Sequence, residues 1–71
     1  MEVVQMGPLE RAAIKEINGW VEDFDGNWRE VRKEMLFRIG QLAHHGTAMA
    51  SAYAHVLGQV YEEMEPKPLA S

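Results

Sequence analysis

From Ile39 to Val60 the chain runs for 22 residues without one formally charged side chain. A stretch of that length has to be covered, either by lipid or by protein. Lipid is the poorer cover. Ten of the 22 residues are Gly, Gln, His, Thr or Ser, and five of the other twelve are Ala, which is too polar for a lipid-facing helix. The segment therefore reads as a helix buried by protein, and no membrane is expected among its partners.

The protein available to cover it is small. Seventy-one residues make one domain at most, and a chain of that size buries only a marginal core by itself. Small chains compensate with disulfides, a metal or oligomerisation. With no cysteine, disulfides, zinc–thiolate centres and thiol catalysis are excluded. The first ten residues, MEVVQMGPLE, lack a basic segment followed by an apolar run, so no secretory leader is expected and the cytoplasm is the expected location. A net charge of −4 argues against a non-specific grip on nucleic acid.

Turn and cap signals divide the chain. Residues 1–7 read as an N-terminal arm, and Pro8 suits the first turn of a helix, where a missing N–H costs nothing. Over residues 8–24, Ala13, Ile14, Ile17, Trp20, Val21 and Phe24 fall on one helical stripe. Asp25-Gly26-Asn27 then forms a turn: Gly26 can adopt the left-handed conformation, and Asn27 can cap the next helix in a box with Glu30. Residues 28–64 follow as heptads, with Trp28, Met35, Leu42, Met49 and Val56 at position g, Arg29, Leu36, Ala43, Ala50, Leu57 and Met64 at position a, Arg32, Ile39, Gly46, Tyr53 and Val60 at position d, and most of the polar residues at b, c or f. The phase runs on through His45-Gly46-Thr47, which predicts one long helix over 28–64, with room for a kink at Gly46, and not two helices. Glu65-Pro66 ends it, leaving 65–71 as a loose tail.

The expected fold class is thus all-α, a helical hairpin within a single domain spanning 1–71. Helix 1 spans about 25 Å and helix 2 about 55 Å, so the first covers only half of the second. The stripe on the far half then needs another cover, and the simplest is a second copy. Two hairpins crossing near Gly46 would form a four-helix assembly, with Ala43, Gly46, Ala50, Tyr53, Leu57, Val60 and Met64 as the dimer interface. Alternatively, the small residues only accommodate another helix of the same chain.

No pattern for catalysis, metal or cofactor emerges. His44 and His45 are neighbours that diverge by about 100° on a helix, and His44 lies about 16 Å along the axis from His55. All three fall at outward heptad positions, where solvated surface is the ordinary role. Ser51 and His55 are one turn apart, yet no acid follows to orient the imidazole. No Gly-rich phosphate loop is present.

Two features remain for binding. Arg29, Arg32, Lys33 and Arg38 crowd the start of helix 2, interleaved with Glu30 and Glu34, as a surface ion-pair lattice or as a contact for an acidic partner. Phe37 sits at an outward position among them, with the composition of a binding hot spot, unless the N-terminal arm buries it with Val3, Val4 and Met6. A DNA-reading helix-turn-helix over 42–54 fails, because no Lys or Arg lies between Ile39 and Pro66 to hold phosphates. The expected function is non-enzymatic: a regulator or inhibitor that docks on another protein, of the kind phages and mobile elements direct at host complexes. The alternatives are a dimeric nucleic-acid-associated protein using the basic end of helix 2, and a structural subunit of a larger helical assembly.

Overall fold

The computed structural model describes residues 7–67, and the arm residues Val3, Val4 and Met6 lie outside them, as do residues 68–71. Among the described residues the chain is all-helical, with α1 at Pro8–Asp23, α2 at Trp28–His45 and α3 at Ala48–Met64. None of these helices is long and apolar enough to cross a membrane.

The first boundaries follow local chemistry. Pro8 opens α1, and the Glu10 carboxylate accepts the Gly7 backbone N–H at 3.1 Å, satisfying one of the free donors of the first turn. Asp25 and Gly26 both take positive φ, 56° and 76°, and the Gly26 N–H closes on the Val21 carbonyl at 2.8 Å. Asn27 caps α2 through its side-chain oxygen, which accepts from the Arg29 N–H at 3.2 Å. Glu30 does not complete a box with it, and pairs instead with Lys33 at 3.2 Å.

The continuous helix expected over 28–64 is not formed. Gly46 adopts the left-handed conformation at φ 70° and ψ 13°, and its N–H bonds to the Ala43 carbonyl at 3.3 Å. Thr47 then caps α3, its hydroxyl accepting from the Ala50 N–H at 3.0 Å. Gly46 ends one helix, Thr47 starts the next, and the chain reverses. Trp28, the first residue of α2, meets Tyr61 near the end of α3, with ring centroids 5.9 Å apart at 62°. Farther along the pair, Ile39 packs against Gly58.

The heptad phase also breaks at the turn. On α3 the inward residues are Ala50, Leu57, Val60 and Tyr61, with Tyr53 and Met64 packed alongside; all but Tyr61 stand at positions a and d. On α2 the inward residues are Val31 and Met35, flanked by Trp28, Ile39 and Leu42. Val31, assigned outward by the heptads, is fully buried, whereas Leu36 at position a is 56% exposed. Ala43 is exposed as well. The core is completed by Ala13, Ile17 and Trp20 of α1. Two helices joined by a turn rotate independently, so one phase need not serve both.

This changes what covers the far stripe. Ala50, Leu57 and Val60 are buried within the chain itself, and Tyr53 and Met64 lean on its core. Gly46 sits exposed at a turn and not at a helix crossing. The reasoning that called for a dimer crossing at Gly46 therefore loses its ground: α1 and α2 of the same chain supply the cover.

Candidate functional site

Burying Val31 and Met35, with Leu42 half-buried, turns the opposite side of α2 to solvent. Two of its large side chains, Phe37 at 59% exposure and Leu36 at 56%, project there about 100° apart around the helix. Gly40, one turn on, adds no bulk, and a side chain at its position would meet open space. The result is a shallow depression bounded by Leu36, Phe37, Gly40, Gln41 and His44.

On the Phe37 side lies a deeper cleft of about 410 Å³, where all three helices contribute. Glu16 comes from α1, Phe37, Arg38, Gln41, Leu42 and His45 from α2, and Tyr53 from α3. The Tyr53 hydroxyl donates to the Glu16 carboxylate, tying α3 to α1 across the cleft. Burial raises the Tyr53 phenol above its ordinary value, the Glu16 bond and charge reinforce the rise, and the Arg38 cation partly offsets it. Arg38 Nε donates to Glu34 at 3.0 Å, which fixes the guanidinium near the cleft mouth. The cleft thus combines guanidinium, imidazole and amide donors with one carboxylate and an aromatic wall. That set can receive a polar side chain of a partner while Phe37 contributes apolar area.

The five residues expected to bind a partner are divided among three surfaces. Phe37 and Arg38 share the cleft. Arg32 lines a separate groove between α2 and α3, with Leu36, Tyr61 and Glu62. Arg29 is exposed in the first turn of α2, and Lys33 is exposed and paired with Glu30. Glu30–Lys33 and Glu34–Arg38 form the ion-pair lattice that their spacing implied, half-exposed and worth a few tenths of a kcal/mol each.

Glu16 and Tyr53 went unnoticed as partners because they stand 37 residues apart, and only the reversal at Gly46 brings them together. Met49, apolar at position g, is 67% exposed. His44, His45, His55 and Ser51 are all exposed. Among the described residues no group of three or more His, Asp or Glu side chains is placed to hold a metal ion. No family model, curated protein or solved structure matches the chain.

Proposed function

We propose that this protein works without catalysis, as a cytoplasmic regulator or inhibitor that docks on another protein and also associates with a second copy of itself. The observation that supports docking most directly is Phe37. An aromatic 59% exposed, standing over a cleft furnished with Arg38, Gln41, His45 and Tyr53, has the make-up of an interface anchor: large apolar area with polar groups close by. Arg29, exposed in the first turn of α2, adds a cation at the start of the same helix that can steer an acidic partner.

Affinity capture with tagged protein, with and without nuclease, tests this reading. Wild type should retain a partner in both conditions, and Phe37→Ala should lose it with unchanged helical content. Capture that vanishes with nuclease and falls steeply with salt would replace this reading with nucleic-acid binding through the basic end of α2. Growth to large assemblies with rising concentration would replace it with a structural subunit.

A further inference from the structure

Among the described residues, no α1 side chain reaches the groove between α2 and α3 on the Leu36 side. This groove has a volume of about 480 Å³. Its two walls are unlike. The α2 wall is bulky and ends in a cation, with Ile39, Leu36 and then Arg32. The α3 wall carries the small Ala54 and Gly58 together with the larger His55, Gln59 and Tyr61, and it ends in the acids Glu62 and Glu65. Because α2 and α3 run in opposite directions, with Trp28 on Tyr61 and Ile39 against Gly58, Arg32 and the acids Glu62 and Glu65 fall toward the same end of the groove. Among the described residues neither Arg32 nor Glu62 is engaged in an ion pair.

A surface with these properties is complementary to itself. Rotation by half a turn about an axis along the groove leaves every height unchanged and lays α2 of one copy over α3 of the other. Leu36 then faces the partner's α3 wall, where Gly58 and Ala54 leave more room than the neighbouring His55, Gln59 and Tyr61. Arg32 arrives opposite the partner's Glu62. Each contact is made twice, as an isologous interface requires.

We infer that the groove is filled by a second copy of this chain, packed about a two-fold axis parallel to α2 and α3, with those four helices forming a bundle and both α1 helices outside it. The charge match selects this occupant over an unrelated apolar helix, which would leave Arg32 and Glu62 unanswered. The small size of the chain acts in the same direction, since a second core adds burial that 71 residues cannot supply alone. The inference rests on the self-association half of the proposed function. It is independent of partner docking, because Phe37 points about 100° away from Leu36.

Charge reversal on single walls gives a test that folding effects cannot imitate. Arg32→Glu sets a new carboxylate against the partner's Glu62 at two sites, and Glu62→Arg places two cations together at two sites. By sedimentation equilibrium, wild type should have twice the 8.1 kDa chain mass, and each variant alone should dissociate at least about tenfold more readily. In an equimolar mixture, a heterodimer of the two variants meets like charges at neither site: at one the two substituted side chains pair carboxylate with guanidinium, and at the other the native Glu62 faces the native Arg32. That heterodimer should form in preference to either homodimer. A wild type that stays monomeric at millimolar concentration would overturn the inference, as would single variants that dimerise normally or a mixture that stays monomeric. If either charge variant loses its helices, Leu36→Ala decides instead: weakened dimerisation supports the groove and unchanged dimerisation overturns it. Retention of partner capture by a monomeric Arg32→Glu variant would leave the Phe37 reading intact while the dimer is probed separately.

Discussion

Gly46 is the residue on which this fold turns, and its substitution has opposite signs in the two arrangements open to the chain. In the left-handed conformation at φ 70°, a Cβ costs about 1–2 kcal/mol. Gly46→Ala should therefore lower the unfolding free energy by about that much in urea titration. Were α2 and α3 one helix, the same change would raise it by about 1 kcal/mol, the ordinary helix-propensity gain. Thr47→Ala should cost about 1 kcal/mol through loss of the α3 cap. Tyr61 supplies a pH signature. It is buried, its hydroxyl donates to Glu65 at 2.7 Å, and burial followed by the Glu65 bond and charge raises its pKa to about 12. A phenol whose folded value lies above its unfolded value of 10.0 contributes stability in full below pH 10, and loses it as pH rises toward 12. Stability should fall across that window, and Tyr61→Phe should flatten the fall. Tyr53, raised by burial and Glu16, adds a loss of the same sign starting from pH 10.

At the level of the helices, much was readable where the signal is local. The span of α1 to within one residue, the Asp25-Gly26-Asn27 turn and the stop after Met64 all follow from caps, glycine and proline, which act over three or four residues. The junction between α2 and α3 carries equally local signals, Gly46 and Thr47, but the repeat of apolar residues through it masked them. Periodicity reports which residues share a face, and it is silent on whether the face continues in a straight line or returns after a turn. A hairpin reversing at Gly46 and two long helices crossing at Gly46 pair nearly the same residues, such as Trp28 with the end of α3. The pattern therefore served both. What separates them is rotation of α2: Val31 faces in and Leu36 faces out. Val31→Ala should accordingly cost about 1–3 kcal/mol, and Leu36→Ala no more than about 0.5 kcal/mol in the isolated chain. Comparable losses at the two positions would restore the heptad phase on α2.

For the molecule as a whole, nine buried apolar residues among those described, drawn from three helices, must hold a chain whose total stability is on the order of 4–10 kcal/mol. Leu57 is fully buried in that core, and Leu57→Ala at about 2–5 kcal/mol should bring the chain close to unfolding. The cleft at Phe37 and the groove at Leu36 both exist only because α3 folds back: one needs Glu16 beside Tyr53, the other needs Arg32 and Glu62 toward the same end. Neither juxtaposition is visible along the sequence, where each pair is separated by 30 residues or more. Phe37 itself was legible, since an aromatic among charges stands out without knowledge of the fold. The claim beneath all of this is that one chain covers its own stripe. It is tested most directly by nuclear Overhauser contacts between the Trp28 and Tyr61 rings in a mixture of isotope-labelled and unlabelled protein. Rings 5.9 Å apart within one chain should give a strong cross-peak in the intramolecular experiment. A cross-peak seen only between labelled and unlabelled chains would mean that α2 and α3 are exchanged between copies, and would contradict the account.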